Sequence, residues 1–327
     1  MRSSPASIET RPVISWPLIL SAVTSIHAGK DLRTYQNRAK LLCQLAWART
    51  WLSRWMQQES NCMLQQQTER NPQLLGFVVW PYIHAGWIVK RRFDALSEHL
   101  QLVDQLYPWL ALGEGDRREI LSLDSPTTGL RLELDRPSWF IREGALVFNL
   151  FLRDHRLMSV AFSLAREHES VIAYLGGIQG SNREGVLDVY RELTKTLHGL
   201  RPRDFTLKGF QLFAGALGVT RIRCVADECR HHRHSYFGNS ANLALHLNYD
   251  EVWEENGGRR LPSGFFELAV VPAAKPLAEV PARKRAMYRR RYQMLAEMDG
   301  MLRRAMPGSG RSVTRPRFGE PAPVRVE

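Results

Sequence analysis

The chain has 327 residues, 44% of them hydrophobic, enough for a large core in one or two domains and incompatible with compositional disorder. Its formal net charge of +12 favours acidic partners such as nucleic acid, anionic lipid or a phosphate-rich cofactor, without choosing among them. Four cysteines without a CxxC pair exclude a dense disulfide framework, and no apolar run is long enough to read as a membrane-spanning helix.

Residues 1–30 read as loosely ordered. Within them Val13–Val23 has the apolar look of a signal segment, but Glu9 and Pro17 break the pattern, and an ordinary strand or helix is expected there instead. A helical region spans 31–122. Its first helix covers Asp31–Gln67, with Trp47, Trp51 and Trp55 at i, i+4, i+8, a stripe expected to pack on the core. Aromatic and glycine residues fill Leu74–Ile88, a second helix covers Arg91–Leu112, and Asp116–Leu121 reads as a short third. Composition then shifts to strands. Leu130–Leu134, Ala145–Arg153, Arg156–Ala165 and Ser170–Ile178 follow one another closely, the spacing of an antiparallel meander. Helices are expected at Val186–His198 and Thr206–Leu217, the latter stopped by Gly218, then a strand at Thr220–Ala226, a short helix at Ser240–Leu247 and a strand at Gly264–Val271. A basic helix starts after Pro281 and runs to about Arg304. The mixed domain thus covers 123–306, and 307–327 reads as a disordered tail. The predicted class is α+β, a mixed and mainly antiparallel sheet flanked by helices, with an N-terminal helical region packed on the core.

Four clusters could carry chemistry. Gln179, Gly180, Ser181, Asn182, Arg183 and Gly185 join a strand to a helix, where exposed amides, Arg183 and the helix dipole could seat a phosphate; a plain glycine turn with a capping side chain is the other reading. His231, His232, His234 and Tyr236 offer proton donors and acceptors near neutral pH, or simply a basic solvated loop. Of these, His232, His234 and Tyr236 are the catalytic candidates. Glu254, in the acidic run Tyr249–Glu255, is a further candidate that could act as base or orient a histidine. Cys224 and Cys229 crowd the same histidines, yet the spacing is not that of a structural zinc site, and no metal is assigned. Arg283, Lys284, Arg285, Arg289, Arg290 and Arg291 form the fourth cluster, a helix face suited to anionic phosphates of lipid or nucleic acid or to solvent alone; no module of a specific DNA reader accompanies it.

The order meander, glycine loop, helix, strand resembles the acyltransferase architecture called GNAT, in which such a loop holds the pyrophosphate of coenzyme A; Gln179-Gly180 and Gly185 are similar to, but do not satisfy, its Q/R-x-x-G-x-G/A pattern. More specifically, GGIQG (176–180), LTKTLHGLRP (193–202), WEENGG (253–258), GFFEL (264–268) and KRAMYRRRY (284–292) together resemble the VirK/YbjX family of Gram-negative bacteria, over about Arg33 to Arg304. The resemblance implies links to virulence, antimicrobial-peptide resistance and envelope homeostasis. It transfers no catalytic residues. The expectations are therefore a cytoplasmic protein, peripheral to the inner membrane in one version, that either transfers an acyl group from acyl-CoA or another acyl-thioester or binds an anionic membrane surface, an acidic ligand or RNA without catalysis.

Overall fold

The computed structural model describes residues 13–123, 129–238 and 247–307, and the chain divides into two compact units, Met1–Trp80 with Ile88–Asp104, and Pro81–Trp87 with Gln105–Glu327.

The first unit is helical. Helix α1 (Trp16–Ile26) lies within 1–30; Ser15 caps it by accepting from the Leu18 amide at 3.3 Å, and Pro17 occupies its first turn, where no amide partner is needed. Helix α2 (Leu32–Met56) is capped by Asp31, which accepts from the Thr34 amide at 2.6 Å. Its buried line is Leu41, Leu45, Ala48, Leu52 and Met56, not the tryptophan stripe. Trp47 is 84% exposed and Trp51 and Trp55 are half-buried, because the leucine line recurs over four turns and outcompetes a stripe turned away from it. Helix α3 (Cys62–Arg70), a 3₁₀ turn (Pro72–Val78) and α4 (Val89–Leu106) complete the unit. Buried Arg92 of α4 donates to the carbonyls of Phe77 (3.4 Å) and Trp80 (3.0 Å), which satisfies its guanidinium without a carboxylate.

The second unit is an eight-stranded sheet in the order β1-β2-β3-β4-β5-β6-β8-β7. The strands are β1 (Arg117–Ser122), β2 (Leu130–Asp135), β3 (Leu146–Leu152), β4 (His155–Glu167), β5 (Ser170–Gly180), β6 (Arg221–Val225), β7 (Arg259–Arg260) and β8 (Phe265–Leu268). All neighbours are antiparallel except β5 and β6, as the chain crosses over through α5 (Val186–Thr196) and α6 (Pro202–Leu217) between them. The expected meander and crossover are present, and the α+β class with an N-terminal helical region holds. Two elements differ. The segment expected as a third short helix, Asp116–Leu121, is strand β1, drawn into register by β2 with a bulge between Glu119 and Leu121. The two-residue β7 was too short to leave a pattern. The expected helix Ser240–Leu247 and the tail beyond 307 lie outside the described residues.

Helix α6 covers one face of the sheet. Phe210 meets Phe162 and Phe148 at ring distances of 5.0 and 5.8 Å, and Phe213 meets Phe148 at 5.3 Å. All four rings are fully buried, each worth about 1.5–3 kcal/mol in removed apolar surface. Helix α8 (Ala282–Ala305) begins after Pro281 as expected and buries Leu295, Met298 and Leu302. Elsewhere on the meander a buried polar row crosses the sheet. Glu133 pairs with Asn149, Asn149 with Ser159, and Ser159 with Gln179, so one polar side chain comes from each of four strands. Asn149 donates to Asp135 (2.9 Å), Ser159 donates to Asn149 (2.7 Å), Arg131 donates to Glu133 (2.9 Å), and Arg156 closes the row on Asp135 and Asn149.

Candidate functional site

Strand β5 pairs with β6 only from Ile172–Leu175 against Arg221–Cys224. Beyond Leu175 it runs on as Gly176–Gly180, still paired with β4, and the two parallel strands part. The chain bulges at this fork. Ala161 faces Gly177 while Phe162 faces Leu175, which leaves Gly176 as the extra residue. On the open side, buried Tyr249 of α7 (Tyr249–Glu255) takes the strand's place. Its hydroxyl accepts from the Ile178 amide at 2.9 Å and donates to the Ile178 carbonyl at 3.0 Å.

The glycine pair at the fork admits Glu143. A Cβ on Gly176 would overlap the Glu143 carbonyl oxygen, and one on Gly177 would overlap its carboxylate. Glu143 ends the turn that precedes β3 and is 3% exposed. Gln179, the last member of the polar row, donates to its Oε1 at 2.5 Å, while Oε2 has no hydrogen-bond partner. Burial pushes the Glu143 carboxyl up to about 8, against the opposing pull of Arg230, Gln179 and Arg142.

Two histidines face it from the loop after β6, which winds through three 3₁₀ turns, Asp227–Cys229, His231–Arg233 and Ser235–Phe237. Asp227 fastens this loop. Its carboxylate accepts from Arg230 (3.2 Å), Arg233 (2.7 Å) and the Tyr249 amide (3.1 Å). Arg230 also donates to the Leu247 carbonyl at 2.9 Å and lies 3.6 Å from the Tyr249 ring centre. His231 is 4% exposed, and its Nε2 stands 3.8 Å from Glu143 Oε1, too far for a hydrogen bond. The His232 ring lies 3.7 Å from that of His231. Burial, helped by His232, Arg142 and Arg230, holds His231 well below the ordinary imidazole range; burial, with Arg230, Arg142 and Arg233, lowers His232 to about 4. Both rings are thus neutral at pH 7, and Nδ1 of each is buried without a partner.

The catalytic candidates distribute unevenly. His232 belongs to this cluster. His234 instead accepts from the Tyr236 amide at 3.0 Å and so caps a turn. The Tyr236 ring lies 5.9 Å from the Arg142 guanidinium, and Glu254 is exposed near the far end of α7. In the expected cofactor loop, Gln179 turns to Glu143 and Gly180 pairs with Met158. The Ser181 amide donates to the Leu157 carbonyl (2.8 Å) and the Tyr190 hydroxyl (3.0 Å), Arg183 N to Ser181 Oγ (3.3 Å), and Val186 N to the Arg183 carbonyl (3.2 Å). The Arg183 guanidinium lies against His155 at 2.7 Å, and Gly185 caps α5 in the left-handed region, φ 75°. Cys224 is buried in β6, and neither it nor Cys229 joins the histidine–carboxylate group. Glu143, Arg142, Arg230 and Tyr249 went unread as site residues. Glu143 lies between elements with no periodicity, and only its place just before an apolar strand could have flagged it.

On α8, Arg285 donates to the Val280 and Ala278 carbonyls and Arg291 to the His198 carbonyl, whereas Arg283, Lys284, Arg289 and Arg290 are exposed and, among the described residues, form no ion pair. No helix among the described residues is long and apolar enough to cross a membrane.

The chain is 28% identical over 240 residues to the uncharacterized protein YbjX of Escherichia coli (strain K12), covering 69% of this chain and 70% of that one. It is 27% identical over 208 residues to an uncharacterized protein of Haemophilus influenzae (strain Rd), 63% of this chain and 68% of that one. No solved structure matches it. The model of the family described as protein of unknown function (DUF535) matches residues 30–304, and the chain belongs to that family, which includes YbjX.

Proposed function

We propose that the protein is an acyltransferase-type enzyme whose reacting centre is the fork between β5 and β6, and that its donor is acyl-CoA or another acyl-thioester. The observation that carries this reading is Glu143, a buried carboxyl with a free oxygen at the point where two parallel strands part. A parted strand leaves Gly176–Gly180 without a neighbouring strand on one side, where an extended, amide-bearing ligand could add in place of the Tyr249 hydroxyl that holds Ile178. The resemblance of the element order to the GNAT architecture supports a thioester carrier in the same region. Because the Ser181, Arg183 and Val186 amides are engaged within the protein, the fork supports this reading more strongly than the glycine loop does.

The chemistry balances with one proton carrier. An amine or hydroxyl acceptor attacks the thioester carbonyl carbon and gives its proton to the Glu143 carboxylate. The carbon–sulfur bond then breaks, and the departing thiolate takes that proton back. A carboxyl titrating at about 8 suits both halves, since the most effective acid–base group has a pKa near the working pH. In this reading His232 orients the acceptor and does not take its proton.

Calorimetry with acetyl- and palmitoyl-coenzyme A, on wild type and on Gly180→Glu and Glu143→Gln, tests the reading. Donor binding to wild type, its loss in Gly180→Glu, and binding without turnover in Glu143→Gln are expected. Absence of heat and turnover with every thioester ends it.

A second reading is favoured by the four exposed cations in the first half of α8: a non-catalytic protein that binds anionic lipid, in the envelope setting that the VirK/YbjX resemblance implies. Each such cation contributes about 1 kcal/mol near an anionic surface. Salt-sensitive sedimentation with vesicles containing phosphatidylglycerol, lost in Arg289→Glu/Arg290→Glu, is expected; equal binding to neutral vesicles, or binding to RNA alone, would remove the lipid version.

A further inference from the structure

We propose that Glu143, His231 and His232 bind one divalent first-row transition metal ion, in an open site of two imidazoles and one carboxylate. The assignment rests on the reading of the fork as a working site and names what Glu143 works with there.

Each of the three side chains offers a ligating atom, and these atoms all lie within 4.8 Å of one another. Two metal–ligand bonds of about 2.1 Å at a tetrahedral angle hold their ends about 3.4 Å apart, so the 3.8 Å between His231 Nε2 and Glu143 Oε1 has to close by about 0.4 Å. The widest pair, within 4.8 Å, has to close by no more than about 1.4 Å. The same 3.8 Å argues against a simpler pairing. A proton shared between imidazole and carboxyl would draw them to hydrogen-bond distance, and here they stand apart.

The unsatisfied atoms point the same way. Glu143 Oε2, His231 Nδ1 and His232 Nδ1 are buried and unpartnered, so the cluster carries unsatisfied polar atoms beside the facing pair His231 Nε2 and Glu143 Oε1, and buried polar atoms of native proteins rarely stay so without a ligand. Two of the three side chains are more than nine-tenths buried. Gln179 holds Glu143 Oε1 at 2.5 Å, the kind of outer contact that fixes a ligand's orientation. Neighbouring guanidiniums oppose a dication: Arg230 and Arg233 are both paired with Asp227, while Arg142 also faces the cluster and lies 5.3 Å from the Phe237 ring centre. Two histidines and one carboxylate suit zinc or ferrous iron and leave a coordination position open. An ion bound there would be held by Glu143 as a carboxylate and by the two imidazoles, and would supply Lewis-acid chemistry to the fork.

The untagged full chain, stripped with a chelator and checked for folding by circular dichroism, is titrated with Zn²⁺ by calorimetry and with Co²⁺ by visible absorption. One ion per chain and the absorption bands of low-coordinate cobalt are expected. His231→Ala, His232→Ala and Glu143→Gln each weaken binding by at least about tenfold, while His168→Ala, in the exposed turn between β4 and β5, leaves it unchanged. Half-buried His232 carries the test if His231→Ala does not fold. No stoichiometric uptake by the folded chain, or uptake unaffected in His232→Ala, overturns the assignment. The readout needs no substrate, so a chain that binds the ion but turns over no thioester defeats only acyl transfer. One that turns over thioester after chelation and takes up no ion defeats only the metal site.

Discussion

Two buried polar groups, one within the sheet and one in the loops beside it, differ in whether their polar atoms are satisfied. The row through Glu133, Asn149, Ser159 and Asp135 closes on itself, with Arg131 and Arg156 supplying donors from its rim. The cluster of Glu143, His231 and His232 leaves three buried atoms without partners. Gln179 links them, as the end of the first and the donor to the second. A closed network stabilises and specifies register, whereas an open one costs free energy unless something binds there. The contrast supports a structural role for the row and the chemical role proposed for the cluster.

The largest expected effect separates the two by pH. Glu143 titrates near 4.5 unfolded and about 8 folded, so its protonated form is favoured in the native state. That stability is complete below 4.5 and is lost as pH rises to about 8. Chemical denaturation of the metal-free chain between pH 5 and 8 should show wild type losing about 2–4 kcal/mol relative to Glu143→Gln, then levelling. Equal slopes would remove Glu143 from the titrating centre.

Next comes the row itself. Asp135→Ala leaves Arg156 and Asn149 without their acceptor and should cost about 2–3 kcal/mol at every pH from 6 to 8, a buried-pair penalty reduced because Arg156 is 21% exposed. Thiol-ester turnover per folded molecule should be retained.

A smaller effect tests how the cluster is admitted. Gly177→Ala should destabilise by about 1–3 kcal/mol, and Glu143→Ala should relieve most of it, because the added methyl meets the carboxylate. Gly176→Ala meets the Glu143 backbone, so the same second change should not relieve it. Additive effects at Gly177 would contradict the packing.

The smallest effect concerns His232, at about 4 folded and 6.5 unfolded. Its contribution is present above 6.5 and lost as pH falls toward 4. Since the ring is only half-buried, His232→Gln should flatten the acid limb of stability by about 1 kcal/mol between pH 6.5 and 4.5.

What was legible in the sequence was what repeats. Alternation marked β2 to β5, a proline start marked α8, and glycine in the left-handed region ended α6 at Gly218. Adjacent histidines were visible as candidates. Their partner was not, because Glu143 reaches them only through the close approach of two backbones, which leaves no spacing in the chain. The pair Gly176-Gly177 stood in the GGIQG stretch, and the space its missing side chains leave holds the Glu143 backbone and carboxylate. Strand β1 was misread because its six residues acquire their identity from β2.

Tyr249 has one further consequence. Since its hydroxyl already serves both the amide and the carbonyl of Ile178, any chain that lays itself along this edge has to evict the tyrosine first. The eviction would tug on Trp253, one turn further along the same helix, whose indole is tethered to the Val225 carbonyl at 2.8 Å. The molecule therefore carries its own fluorescent gauge of occupancy.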